Sequence, residues 1–145
     1  GRLITWKHGS MCRILKIFPA LPLAQSAMAP GGVVEFCEDC KKCAEMCPSQ
    51  SISSGRRSYE TVSDANNPGA LKWYVDAEGC LDHWSVVESG CGICFRVCSF
   101  NKKPGLHHDV VKWFIRNVPA LNKFWAWSDD FMGYGKQVPP EKFWE

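Results

Sequence analysis

Eight cysteines fall into two runs whose spacing leaves few folds open: Cys37-x2-Cys40-x2-Cys43-x3-Cys47 followed by Pro48, and Cys80 followed later by Cys91-x2-Cys94-x3-Cys98. Three thiols at intervals of three let one loop wrap a cubane and place a thiolate on three of its four irons. The fourth lies beyond a turn and points away from that loop. A chain built this way has to bring together ligands that are remote in sequence. Disulfides between such close neighbours would be strained or redox-active rather than structural. Structural zinc prefers two separated cysteine pairs, and a triple at intervals of three overfills one side of a tetrahedron, so zinc is the weaker rival.

The first run has the bacterial ferredoxin spacing residue for residue, in which the fourth cysteine ligates the other cluster and the following proline turns the chain away. The second run lacks its first cysteine because position 88 is Glu. Cys80, separated from Cys91 by ten residues, supplies the missing thiolate, and Gly90 is read as the residue that gives the backbone room to turn. Crossed ligation then assigns Cys37, Cys40, Cys43 and Cys98 to one [4Fe–4S] cluster, and Cys47, Cys80, Cys91 and Cys94 to a second. Ser99 stands where proline usually follows. Cys12, the ninth cysteine, is left over and reads as a small buried hydrophobe.

With 145 residues and 46% apolar content the chain can bury one core. A net charge of +2 and a pI near 8.1, without a run of like charges, exclude a nucleic-acid track and a polybasic membrane patch, so no nucleic-acid partner is expected. The uncharged stretch from Ile17 to Val34, with Ala27-Met28-Ala29, superficially resembles a signal peptide. Pro19, Pro22 and Pro30 interrupt it, and it reads as an irregular, partly buried connection.

The expected class is α+β: a ferredoxin-like two-[4Fe–4S] domain over residues 35–103, with an insertion between the cysteine motifs. A C-terminal helix and aromatic tail, 104–145, would pack on it. Short strands are expected around Leu3 to Thr5 and over Leu71 to Val75, with another apolar stretch from Ile14 to Phe18. A surface loop from Ser49 to Asn67 separates these. Val110, Phe114 and Val118 form one helical stripe opposite Lys112 and Arg116, and Pro119 closes that helix. The rings of Phe124, Trp125, Trp127, Phe131, Tyr134, Phe143 and Trp144 are expected to form a lid. Residues 1–34 read as the end of a larger unit plus a connection, and Gly1 to Thr5 as the middle of a strand, so the chain is read as a fragment. His107 and His108 fall at a helix start, where a cap or surface role is expected, and His8 and His83 are isolated. No Ser/His/Asp set, phosphate loop or carboxylate pair is visible, which places the chemistry at a partner site.

Several short matches run alongside the cysteines: Gly1-Arg2, Ile4-Thr5, Leu21-Pro22-Leu23, Glu35-Phe36-Cys37 and Lys72-Trp73-Tyr74-Val75-Asp76. Gly92-Ile93-Cys94-Phe95-Arg96-Val97-Cys98, Phe100-Asn101-Lys102, Gly133-Tyr134-Gly135 and Pro140-Glu141-Lys142-Phe143-Trp144 continue the series. On these the chain resembles the C-terminal part of corrinoid-dependent reductive dehalogenases. The resemblance implies that 1–34 ends a corrinoid-binding domain, and that two clusters pass electrons from a respiratory-chain donor to a cobalt corrinoid that cleaves an organohalide. It also implies that the cluster of Cys37, Cys40, Cys43 and Cys98 is the nearer to the corrinoid, with Trp73 and Tyr74 in the corrinoid's vicinity, and that the catalytic groups, the proton donor and most of the halide pocket lie upstream of Gly1. Twin-arginine export, the outer face of the cytoplasmic membrane and a small membrane-anchor protein are implied likewise. Thr5-Trp6-Lys7-His8-Gly9 departs from the Thr-Pro-Glu-Tyr-Gly that relatives often carry. Two other readings are kept: the related epoxyqueuosine reductase, whose chain continues into helical repeats, and a ferredoxin-type electron-transfer module without catalysis of its own.

Overall fold

The first cysteine run does not form one continuous helix, because Lys41 adopts a left-handed conformation (φ 44°). The chain makes α1 (Val33–Cys40), turns at Lys41 and restarts as α2 (Lys42–Glu45). At the start of α1 the Gly32 N–H donates to Glu35 Oε2 at 2.9 Å, a carboxylate capping an otherwise open helix end. The computed structural model describes residues 3–24, 31–103 and 105–136. Gly1-Arg2, Ala27-Met28-Ala29, Phe143 and Trp144, and with them the Pro140 to Trp144 match, lie outside these residues.

The insertion before Cys91 is largely helix: α3 (Ala77–Val86) starts where the Asp76 carboxylate accepts from Gly79 N–H at 3.1 Å, and carries Cys80 in its second turn. The turn that follows falls on Glu88, φ 51°, whereas a Cβ on Gly90 would meet nothing within 4 Å. Glu88, not Gly90, bears the left-handed conformation. After α4 (Ile93–Arg96) and a 3-10 turn (Ser99–Asn101) come α5 (Leu106–Asn117), a 3-10 turn opened by Pro119 (Pro119–Leu121) and α6 (Asn122–Phe131).

The core forms where α1, the Ser99–Asn101 turn, α5 and α6 meet, around Phe36, Phe100, Ile115 and Ala126. Phe36 and Phe100 pack edge to face with ring centroids 5.5 Å apart. Ile115 and Val111 of α5 pack on this core and Phe114 meets Trp125 with ring centroids 5.5 Å apart, whereas Val110 is 52% exposed. The aromatic lid is realised only in part. Trp125 packs on the core, while Phe124, Trp127 and Phe131 lie on the surface, where Trp127 and Phe131 stack on each other at 5.4 Å. The 11–23 stretch is exposed as well, through Ile14, Leu15, Ile17 and Phe18 among others, and contains no helix or strand. Cys12 is half-buried rather than buried. Among the described residues no helix is long and apolar enough to cross a membrane.

The α+β expectation is not met among the described residues, which are helical and irregular, with isolated bridges in place of strands. Register explains this for Leu71 to Val75. Asp76 N–H donates to Ser51 O (2.8 Å) and Ser53 N–H to Tyr74 O (3.3 Å), but the next pair is Ser58 with Lys72 (3.0 and 3.2 Å). Residues 54–57 therefore face Trp73 alone, and this bulge ends the ladder before it becomes a sheet. The bulged carbonyls find other donors: Lys41 Nζ reaches Ser54 O and Gly55 O, and Trp73 Nε1 donates to Gly55 O at 2.9 Å.

Leu3 to Thr5 likewise pairs only through Thr5 with Gly9, in a tight turn with N–H···O distances of 2.8 and 2.9 Å. Asn101 clamps this turn. Its Oδ1 accepts from Ser10 N–H (2.7 Å), and its Nδ2 donates to Ser10 Oγ (2.7 Å) and Phe95 O (2.6 Å). Gly9 has φ 60°, and a Cβ there would run into Asn101 Oδ1 and the Phe100 carbonyl. Gly9→Ala is expected to lower stability by about 2 kcal/mol, read from the denaturant midpoint of the cluster-loaded chain.

Candidate metal centre

Four thiols from both ends of the cysteine pattern line one cavity of about 620 Å³: Cys37 and Cys40 on α1, Cys43 on α2, and Cys98 just after α4. These are the four assigned above to a single cluster. Cys94, on α4, reaches the same cavity. Cys47, Cys80 and Cys91 do not line it. Cys94 and Cys91 are near enough for their charges to interact, as are Cys94 and Cys43. Of the second set, Cys91 and Cys94 are brought together.

The electrostatics of the first set follow from burial and crowding. Burial, with the neighbouring Cys40, Cys98 and Cys43 adding to it, pushes the Cys37 thiol up to about 12. Burial likewise raises Cys40 and Cys43, each with Cys98 as a repelling neighbour. Burial raises Cys94 too. Cys47 differs. Burial acts to raise it, but hydrogen bonds from the Ser49 hydroxyl and from the backbone of Ser51, Ser49 and Ile52 outweigh that and bring it below the ordinary thiol value.

Such thiols fit an iron–sulfur cluster. Isolated thiolates are disfavoured in this crowded, partly buried cavity, and coordination to iron neutralises them. Among the described residues no group of three His, Cys, Asp or Glu side chains is close enough to hold a single metal ion. A pH dependence follows for the cluster-free chain. In the folded state Cys37 holds its proton from the ordinary 9.0 up to about 12, while the unfolded chain releases it near 9.0. Stability is therefore retained below pH 9 and falls as pH rises from there toward 12. Thermal unfolding of the cluster-free chain should show that fall, and Cys37→Ser should flatten it.

Trp73 and Tyr74 also line the thiol cavity. The Tyr74 ring is buried, its hydroxyl donates to Ala70 O (3.1 Å), and Lys72 Nζ lies 4.6 Å from the ring centroid. Arg57 sits over the Trp73 ring at 5.8 Å and pairs with Glu38 at 2.8 Å. Both rings are walls of the cavity, with their polar atoms used within the chain.

A buried polar network behind Cys40 was not singled out from the sequence. Lys42 Nζ contacts Asp129 Oδ2 at 2.7 Å and Asp130 Oδ1 at 3.1 Å, and Lys102 Nζ contacts Asp129 Oδ1 at 3.3 Å. Ser99 Oγ donates to Asp129 Oδ2 at 2.9 Å and lies 3.7 Å from Cys40 Sγ. Burial lowers the Lys102 ammonium, against the pull of Asp129. Gly135 lies over this group, and a Cβ there would collide with Asp130 Oδ1. Ser99 in place of proline was the one visible signal; the partner carboxylate, Asp129, lies thirty residues on in an aromatic helix.

Residues 36–101 match the 4Fe-4S double cluster binding domain family. The chain is 39% identical over 145 residues to the tetrachloroethene reductive dehalogenase of Sulfurospirillum multivorans, covering all of this chain and 29% of that protein. It is 38% identical over 146 residues to the tetrachloroethene reductive dehalogenase of Desulfitobacterium hafniense, covering 98% of this chain and 26% of that one. Among solved structures, the catabolic reductive dehalogenase NpRdhA superposes with a TM-score of 0.61 at 28% identity, over 72% of this chain and 14% of that one. A reductive dehalogenase whose structure suggests a mechanism for B12-dependent dehalogenation superposes with the same values. The chain spans less than a third of the length of these relatives. With a 4Fe-4S double cluster binding domain inside it and such relatives along its whole length, the chain is similar to the iron–sulfur part of reductive dehalogenases.

Proposed function

We propose that the full-length protein reductively dehalogenates an organohalide of the chloroethene class named for its relatives, and that this segment relays the electrons. The clusters would store and pass single electrons, and a B12-type corrinoid held outside this segment would break the carbon–halogen bond. Cys37, Cys40, Cys43 and Cys98 hold the cluster nearer the corrinoid, and Cys47, Cys80, Cys91 and Cys94 the one nearer the donor. The observation that supports this most is the convergence of three thiols from the first run and the last thiol of the second on one cavity. Trp73 and Tyr74 close that cavity on the side turned to the corrinoid. With both clusters bound, the short pairings at Ile52–Val75 and Ser58–Lys72 extend toward the strands of an α+β ferredoxin-like fold. A respiratory-chain donor, a small membrane anchor and residence on the outer face of the cytoplasmic membrane complete the reading.

The chain's own residues hold and insulate the cores. Apolar Phe36 and Phe100 back the ligand loops, and hydrogen bonds at Cys47 and Cys40 set how readily each thiolate carries charge. Anaerobic reconstitution of the full-length protein is expected to yield about eight iron and eight sulfide per chain, with halide release from tetrachloroethene once corrinoid is added. Zinc at about one per chain, or full iron content without halide release from any chloroethene, would overturn the reading.

A further inference from the structure

We infer that Ser99 is a positioning residue that sets the potential of the cluster held by Cys37, Cys40, Cys43 and Cys98, by sharing its single hydroxyl hydrogen between Asp129 and the Cys40 sulfur. The inference rests on the ligand assignment proposed above. Ser99 occupies the position that Pro48 holds after the first run, so a hydroxyl replaces a ring that could donate nothing. Its oxygen lies 2.9 Å from Asp129 Oδ2 and 3.7 Å from Cys40 Sγ. An ionised carboxylate only accepts, so in the cluster-free chain the hydrogen goes to Asp129 and the neutral Cys40 thiol donates to the Ser99 oxygen.

Ligation removes the Cys40 proton and turns its sulfur into a second acceptor. Asp129 is already partnered by two cations, Lys42 Nζ at 2.7 Å and Lys102 Nζ at 3.3 Å, so its hold on the Ser99 hydrogen is weakened. Lys42 also presents its backbone N–H to Cys40, a donor that the fold keeps in place. Ser99 is the adjustable one. When a low-potential one-electron donor adds an electron, charge on the thiolate sulfur rises and the Ser99 hydrogen turns from Asp129 toward it. A hydrogen bond that is stronger in the reduced state favours reduction. Asp129 acts in the opposite sense, since its charge repels the added electron.

The two groups therefore predict shifts of opposite sign. In a redox titration of the reconstituted full-length protein, followed by electron paramagnetic resonance, Ser99→Ala should lower the reduced-to-oxidised ratio about tenfold at fixed ambient potential. For a one-electron couple that is a downward shift of about 59 mV. Asp129→Asn, which keeps the shape and removes the charge, should shift the midpoint upward, and Ser99→Thr, which keeps the hydroxyl, should restore the wild-type value. A role confined to packing would change cluster content and leave the midpoint of the remaining clusters in place. Unchanged midpoints in Ser99→Ala with full iron content overturn this inference alone, whereas a wild-type protein without iron overturns the ligand assignment beneath it.

Discussion

Cys98→Ala is expected to halve the iron of the reconstituted chain, from about eight to about four per chain, by emptying the site built from the first cysteine run. The reason is spatial: Cys98 lines the cavity of Cys37, Cys40 and Cys43 although more than fifty residues separate it from them. Losing one of four thiolates exposes an iron in a site where burial already opposes free thiolate. Cys47→Ala should empty the other site instead. Pairing the substitutions separates crossed from local wiring. Cys37→Ala with Cys98→Ala strikes one cluster twice and should still leave about four irons. Cys37→Ala with Cys47→Ala strikes both and should leave almost none. If the first pair abolishes iron and the second spares half, each run ligates its own cluster and the crossed assignment is wrong.

Asp129→Leu should be the most destabilising single change away from the thiols, by about 3–5 kcal/mol. Asp129 is 8% exposed and meets Lys42, Lys102 and Ser99 at once. Its removal leaves Lys42, itself 3% exposed, with only the half-exposed Asp130, and leaves Lys102 buried without this carboxylate. An unpaired buried cation is far costlier than the pair was stabilising. Urea unfolding of the cluster-loaded protein measures the loss. Adding Lys42→Met to Asp129→Leu should recover part of it, because one stranded charge is then gone. A loss below 1 kcal/mol would mean that water reaches Lys42 and Lys102.

The cysteine intervals were legible because ligation geometry is local: a thiol every third residue can wrap a cubane whatever surrounds it. The resemblance to reductive dehalogenases was legible for a similar reason, in short strings such as Gly92 to Cys98 that stay contiguous in the chain. Secondary structure was less so. Leu71 to Val75 has strand composition, yet the bulge of residues 54–57 opposite Trp73 interrupts its partner, and no window of sequence shows what a segment will pair with. On α5, periodicity gave a stripe of Val110, Phe114 and Val118, but it was the position of α1 and α6 that brought Val111 and Ile115 to the core.

The sequence by itself determined the spacing of the thiols, what kind of inorganic core that spacing suits, and which enzymes the chain resembles, since each depends on residue identity and order. Only the tertiary structure decided what surrounds those ligands. It placed Lys42, Ser99, Lys102 and Asp129 in one buried network behind Cys40. Hydrogen bonds and ion pairs depend on distances of a few ångströms between residues dozens of positions apart, and only folding sets those distances.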